Sequence, residues 1–137
     1  MNSNGLYILK DGKSEDYTFD DGNTILCGVP GAFTPGCTNR HLPGFANNMD
    51  KLKGYKVVFM AVNDSYVMNE WNKLYGHPDI ESVSDPLAIF SKGIGEDIDY
   101  GETFGIRCNR FALLIQDGEI VKKFKDPFID GVLSEIC

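Results

Sequence analysis

The chain has 137 residues, which suits one domain, residues 1–137, with a sizeable buried core. Its formal net charge of −7 at pH 7 argues against nucleic acid as a partner, because phosphate binding needs clustered Lys and Arg. No apolar run approaches the ~20 residues of a membrane-spanning helix, and four cysteines without tight pairing indicate reduced thiols, so we expect no membrane partner and a cytoplasmic location.

Apolar periodicity and turn residues divide the chain into alternating strands and helices. In chain order, the first predicted elements are a hairpin with strands at residues 6–9 and 17–19 around Asp11-Gly12, a strand at 24–29, and a helix at 35–52 with a kink or break at Pro43-Gly44. A strand at 56–62, a helix after residues 63–65 through Leu74, a short strand at 81–84 and a helical turn at 86–90 follow. The last predicted elements are a hairpin at 111–121 and a terminal helix at 130–137. This order predicts an α/β domain whose mixed sheet is parallel in the middle and antiparallel at a hairpin edge.

The predicted helix after the first buried strand begins at a cysteine motif. Thr34 is a favourable N-cap and Pro35 fits the first helical position, so Cys37 falls in the first turn. There, free backbone N–H groups and the helix dipole favour a thiolate over a thiol. From Gly22 to Met49 the sequence holds no Asp or Glu. This placement predicts a reactive cysteine, and the alternative is a buried cysteine that packs as a small apolar residue.

The residues around Cys37 resemble a known family. Pro30, Thr34 and Cys37 match the Pro-x-x-x-Thr-x-x-Cys signature of the peroxiredoxins, which are cysteine-dependent peroxidases. The match resembles the peroxiredoxin-5 (type II) subfamily in particular and extends from about Leu6 to the C-terminus. The segments that carry it are 28–37, 41–45, 62–64 with Trp71, and 109–118. The resemblance implies a thioredoxin-like α/β fold, with a mixed central sheet flanked by helices.

The resemblance also implies catalytic roles for four residues. Cys37 is the peroxidatic nucleophile, whose thiolate attacks a peroxide oxygen and becomes sulfenic acid. Thr34 carries a hydroxyl that can accept from the peroxide, and Pro30 shields the pocket from water. Arg110 matches the family's distant arginine, which donates to the thiolate and the peroxide. The alternative for Arg110 is a surface arginine, with Arg107 as its nearest competitor.

Further residues are expected to complete the pocket. The backbone N–H groups of Gly36 and Cys37 point toward an incoming oxygen. Phe33 and Phe104 are expected to form an apolar wall of the pocket or of a dimer surface, with ordinary core packing as the alternative. His41 lies on the same helical face as Cys37, and we expect it to pack or hydrogen-bond rather than to catalyse. Because the other cysteines lack the short spacings of a zinc site, no metal and no cofactor are expected.

The sequence does not identify the thiol that reduces Cys37 after its oxidation. Plant members of the subfamily place a second cysteine on the strand after the first helix, where residues 57–60 contain none. We therefore expect an external thiol, such as glutathione, glutaredoxin or thioredoxin, to reduce Cys37. The alternative is a disulfide between Cys37 and Cys137, with Cys108 as a further candidate. Cys27 lies in a buried strand and is expected to be structural.

Two other functions compete with a peroxidase. A thiol–disulfide oxidoreductase on the same fold would use Cys-x-x-Cys, but the position three residues before Cys37 is Thr34. A peroxide-sensing protein would be oxidised once and would signal to a partner. The resemblance favours a thiol-dependent peroxidase of hydrogen peroxide and alkyl hydroperoxides, and a homodimer formed near the active-site helix.

Overall fold

A computed structural model describes residues 4–136 and shows a seven-stranded mixed sheet flanked by helices. The strands are β1 (Tyr7–Lys10), β2 (Lys13–Asp16), β3 (Asn23–Gly28), β4 (Tyr55–Ala61), β5 (Ile80–Ser84), β6 (Asp97–Asp99), β7 (Ile106–Cys108), β8 (Phe111–Gln116) and β9 (Glu119–Lys123), and the α-helices are α1 (Leu42–Ala46), α2 (Ser65–Tyr75), α3 (Ile89–Gly93) and α4 (Ile129–Ile136). The order in the large sheet is β2-β1-β5-β4-β3-β8-β9, and β6 pairs with β7 separately. Strands β3, β4 and β5 are parallel, whereas β8 and β9 form an antiparallel hairpin, as predicted.

The central strands β3 and β4 are covered on both faces because each is an almost continuous apolar run. Ile25 and Phe59 pack into one buried cluster, and Leu26 and Val58 pack into the cluster on the opposite face. The fully buried Trp71 of α2 belongs to the first cluster. Within residues 4–136, no helix has both the length and the apolarity that crossing a membrane requires.

The N-terminal hairpin forms around the predicted turn, but its second strand is misplaced in the prediction. That strand is Lys13–Asp16 and not residues 17–19. The Asp11-Gly12 turn has positive φ at both residues, so the chain reverses within two residues and β2 begins directly after it. Among the described residues, one pair, Tyr7 with Ser84, joins this hairpin to β5.

The helix predicted over residues 35–52 changes from a π-helical turn to α1 immediately before the Pro43-Gly44 pair, where a kink or break is predicted, and α1 ends at Ala46. It consists of a π-helical turn at Cys37–His41, the short helix α1, and a separate 3₁₀ turn at Met49–Lys51. Proline has no N–H to donate to the turn before it, so Pro43 interrupts the regular ladder. The N–H of Leu42 reaches back five residues to the carbonyl of Cys37. The wide turn therefore begins at the reactive cysteine itself.

Candidate active site

Two neighbouring strands bring the candidate catalytic residues to one edge of the sheet. Strands β3 and β8 are antiparallel, and Gly28 at the end of β3 pairs with Phe111 at the start of β8. The chain that leaves β3 therefore carries Cys37 to the place where Arg110 precedes β8. Glycine is required at position 28 because a Cβ there would overlap the Phe111 ring. The pairing of β3 with β8 thus brings together residues 73 positions apart in the chain.

The sulfur of Cys37 is enclosed and contacts a guanidinium group. Cys37 is 1% exposed, and Nη2 of Arg110 donates to its Sγ over 3.1 Å. A donor that carries a positive charge stabilises a thiolate more than a neutral thiol. The cysteine lies in the first helical turn, as predicted. There, the backbone N–H groups of Gly36 and Cys37 come before the first N–H group that can donate to a carbonyl within the helix.

Arg110 is held in turn by a neutral histidine. Its Nη1 donates to Nδ1 of His41 over 2.8 Å, and Nε2 of His41 lies 2.9 Å from the carbonyl oxygen of Pro127. Burial, followed by the charge of Arg110, lowers the pKa of His41 from 6.5 to about 3. The imidazole is therefore neutral and donates from Nε2, which leaves Nδ1 as an acceptor for Arg110. The hydrogen-bonding role predicted for His41 is confirmed.

The buried neutral state of His41 should make the protein less stable in acid. Between pH 6.5 and 3 the unfolded chain binds a proton at this histidine that the native chain does not bind, so the free energy of unfolding falls as the pH falls. The expected slope is about half of 1.4 kcal/mol per pH unit at pH 6.5 and approaches ~1.4 kcal/mol per pH unit near pH 5. Urea unfolding at pH 7, 6 and 5 measures it. The slope should flatten in His41→Gln and persist in the control His77→Gln, and equal slopes in both variants would contradict the assignment.

Thr34 does not cap the helix with its side chain. Its hydroxyl donates to the carbonyl of Gly31 over 2.5 Å, and its own carbonyl accepts from the N–H of Thr38 over 2.9 Å. The prediction that the Thr34 side chain caps the helix is therefore wrong, because its hydroxyl donates to the carbonyl of Gly31 instead. With that single proton in use, Oγ1 of Thr34 can act toward any further group only as an acceptor.

A cavity of about 200 Å³ opens beside the sulfur. It is lined by Pro30, Thr34, Cys37, Tyr100, Phe104, Arg107 and Arg110. Two residues of the predicted pocket, Phe33 and Gly36, are not among the lining residues. Phe33 has a φ of 64°, and its ring packs edge-to-face against Tyr75 with the centroids 6.1 Å apart. The structure therefore places Phe33 on the surface of the helix start and not in the cavity wall.

Tyr100 and Arg107 come from a hairpin that the sequence pattern does not predict. Strands β6 and β7 are short and mostly exposed, so they lack the apolar alternation of a half-buried strand. Arg107 donates through Nη1 to the carbonyl of Pro30 and through Nε to the carbonyl of Phe104, each over 3.1 Å. Arg107 thus braces the cavity wall, whereas Arg110 reaches the sulfur.

The other two described cysteines are buried thiols. Burial raises the pKa of Cys27 well above its usual value, and burial together with the charge of Asp85 raises the pKa of Cys108 to about 12. Sγ of Cys108 donates to the carbonyl of Val29 over 2.9 Å. Both side chains are therefore held protonated and apolar in character. Cys137 lies outside the described residues, and among residues 4–136 no three His, Cys, Asp or Glu side chains form a metal-binding group.

The sequence matches a known protein family over most of its length. The chain matches the Redoxin family over residues 9–136. It is 43% identical over 95 residues to peroxiredoxin-2C of Oryza sativa subsp. japonica, in an alignment that covers 66% of this chain and 59% of the rice protein. The chain thus spans less than two thirds of the length of that relative.

Solved structures show the same fold. Reduced Prx3 in complex with H2O2 from Vibrio vulnificus superposes with a TM-score of 0.89 at 28% identity, over 95% of this chain and 91% of that chain. Peroxiredoxin 5 from Alvinella pompejana superposes with a TM-score of 0.80 at 31% identity, over 94% of this chain and 88% of that chain. The predicted thioredoxin-like α/β fold is confirmed. The chain belongs to the peroxiredoxins, and within them to the peroxiredoxin-5 (type II) subfamily.

Proposed function

We propose that this chain is a thiol-dependent peroxidase that reduces hydrogen peroxide and alkyl hydroperoxides at Cys37. The observation that carries the proposal is the 3.1 Å contact between Nη2 of Arg110 and Sγ of Cys37 at the wall of a cavity. The likeness to the Vibrio vulnificus protein, whose structure contains H2O2, supports a peroxide as the substrate.

The first step is attack of the Cys37 thiolate on the terminal oxygen of the peroxide. The S–O bond forms as the O–O bond breaks, so the sulfur is oxidised to sulfenic acid and the peroxide is reduced. Oγ1 of Thr34 accepts the peroxide O–H, because its own proton is donated to Gly31. Arg110 donates to the peroxide and stabilises the charge that develops on the leaving oxygen. That oxygen then takes up a proton and departs as water or an alcohol.

The second step is reduction of the sulfenic acid by an external thiol. One thiol condenses with the sulfenic acid, releasing water and forming a mixed disulfide, and a second thiol releases Cys37 and leaves as the disulfide. Glutathione, glutaredoxin and thioredoxin are the candidate donors. Support for an external donor comes from Cys27 and Cys108, whose raised pKa values leave them protonated and poorly nucleophilic. A disulfide with Cys137 is the alternative.

Turnover tests the proposed activity. The purified protein should consume many equivalents of hydrogen peroxide or tert-butyl hydroperoxide when a thiol donor is present. Loss of a single equivalent, with no turnover under any donor, would favour a peroxide-sensing protein. Disulfide exchange without peroxide consumption would favour a thiol–disulfide oxidoreductase.

Mass spectrometry of the peroxide-treated protein identifies the resolving thiol. We expect Cys37 to be recovered as a sulfenic acid adduct, and as a mixed disulfide when glutathione is added. A Cys37–Cys137 crosslink would contradict recycling by an external thiol. The matched control is Cys137→Ser, which should give the same adducts and the same turnover as the wild type.

We also propose a homodimer formed near the active-site helix and a cytoplasmic location. The dimer is supported by the exposed aromatic pair of Phe33 and Tyr75, which are 47% and 40% exposed beside the helix start. Sedimentation of the purified protein tests it, since a monomeric mass at micromolar concentration would contradict the dimer.

A further inference from the structure

We propose that the Phe128 ring and the carbonyl of Pro127 position the Arg110 guanidinium against the Cys37 sulfur. Both residues lie in the short connection between β9 and α4. The proposal rests on the proposed function, because it assigns a partner to the arginine of that same site. Neither residue lines the cavity, so neither touches the reacting atoms.

The contacts of the Arg110 guanidinium converge on this connection. Its Cζ lies over the Phe128 ring, 5.2 Å from the ring centroid. Its Nη1 donates to His41, which donates in turn to the carbonyl of Pro127. The His41 and Phe128 rings also contact each other, with their centroids 5.0 Å apart. Apart from Cys37, the described partners of the guanidinium are therefore Phe128 and a histidine tied to Pro127.

An aromatic partner suits the chemistry of Arg110 better than a carboxylate would. No ion pair to Arg110 is found among residues 4–136. The ring face attracts the cation without accepting its N–H protons. Both Nη groups therefore remain available, one for His41 and one for Cys37. A carboxylate at this place would accept those protons and offset the charge that stabilises the thiolate.

The connection is anchored on both sides, so the ring has a defined place. Val132 of α4 is fully buried in the core cluster, and the helix is tied to β9 by the ion pair of Lys122 with Glu135 at 2.8 Å. Glu135 also accepts from the N–H of Lys125 over 3.0 Å. The guanidinium of Arg40 covers the Phe128 ring at 3.7 Å from its centroid. Packing of α4 is thereby linked to the position of Arg110.

Three variants separate positioning from simple packing. Phe128→Leu keeps an apolar side chain but removes the ring, Phe128→Tyr restores the ring, and Phe124→Leu is the control. Phe124 is a buried phenylalanine four residues before Phe128, and the cation over its ring is Lys122, 5.5 Å from the centroid, and not Arg110. The single tryptophan, Trp71, donates to Thr38 beside Cys37. Its fluorescence in a stopped-flow instrument can follow oxidation of the cysteine.

Phe128→Leu should lower the second-order rate constant for hydrogen peroxide by roughly threefold to thirtyfold, the range of a partly desolvated cation–π contact. Phe128→Tyr should stay within about twofold of the wild type. Phe124→Leu should lose stability but keep the rate. The rate of Cys37 alkylation by iodoacetamide at pH 7, which needs the thiolate but no peroxide chemistry, should fall in Phe128→Leu and not in Phe124→Leu.

The proposal is overturned if Phe128→Leu reacts as fast as the wild type, if Phe128→Tyr is as slow as Phe128→Leu, or if Phe124→Leu is slowed equally. A wild-type protein that does not consume peroxide contradicts the proposed function instead. The alkylation rates then decide the positioning of Arg110 independently of that activity.

Discussion

Replacing Cys37 by serine should abolish peroxide consumption with every thiol donor. A hydroxyl is a far weaker nucleophile than a thiolate, and the short contact from Arg110 stabilises an anion that serine does not form near neutral pH. The measurement is loss of hydrogen peroxide at fixed thiol concentration, compared with the rate of thiol and peroxide without protein. We expect Cys37→Ser to be indistinguishable from that background.

Cys108→Ser is the matched control for this substitution. Cys108 is fully buried and donates to the carbonyl of Val29, a hydrogen bond that serine can also donate. It should keep most of the activity, although replacing a buried thiol by a hydroxyl costs some stability. Activity that survived in Cys37→Ser and disappeared in Cys108→Ser would place the reacting sulfur on β7 instead of the helix start, and would refute the proposed mechanism.

Arg110→Lys should lower the second-order rate constant by ~10²–10³, as expected when one preorganised donor to a developing charge is lost. The guanidinium donates to His41 and to the Cys37 sulfur at the same time through separate nitrogens. An ammonium group carries the same charge but cannot reproduce this planar arrangement of two donors. The rate of Cys37 oxidation under single-turnover conditions measures the loss without interference from recycling.

Arg107→Lys is the comparison that distinguishes the two arginines of the cavity. Arg107 donates to the carbonyls of Pro30 and Phe104 and not to the sulfur. Its replacement should therefore lower the second-order rate constant by less than about tenfold, because only hydrogen bonds that hold the cavity wall are lost. A larger loss for Arg107→Lys than for Arg110→Lys would reverse the roles proposed here.

The parts of the site that were predictable from sequence are those carried by local pattern. The position of Cys37 in a first helical turn follows from Thr34-Pro35 after a buried strand, and the change of helical geometry before α1 follows from Pro43. Arg110 was predicted only through family resemblance, since 73 residues separate it from Cys37 and only the pairing of β3 with β8 joins them.

Three other features of the site have physical causes that a local sequence pattern does not contain. A threonine hydroxyl can donate to a nearby carbonyl as readily as it can accept from an N–H group, and Thr34 takes the carbonyl of Gly31. Phe33 lies at a positive φ and packs on Tyr75, a neighbour that belongs to α2. The bond from His41 to Pro127 joins residues 86 apart, and no periodicity indicates such a pair.

Among residues 4–136, the β1–β2 hairpin pairs with β5 only at Tyr7 and Ser84, so the strands of the sheet differ in how easily they open. Strands β3 and β8 share six residue pairs, whereas the hairpin meets β5 through the Tyr7–Ser84 pair and the packing of Leu6 and Ile8. Side-chain hydrogen bonds of Ser65 with Ser14 and of Tyr66 with Gly12 also tie the hairpin to α2. Amide hydrogens of the hairpin should therefore exchange with solvent well before those of β3 and β8. Arg110 directly precedes β8, and Cys37 packs in the core cluster that contains Ile25 of β3. We therefore expect transient release of the N-terminal hairpin to leave their 3.1 Å contact in place.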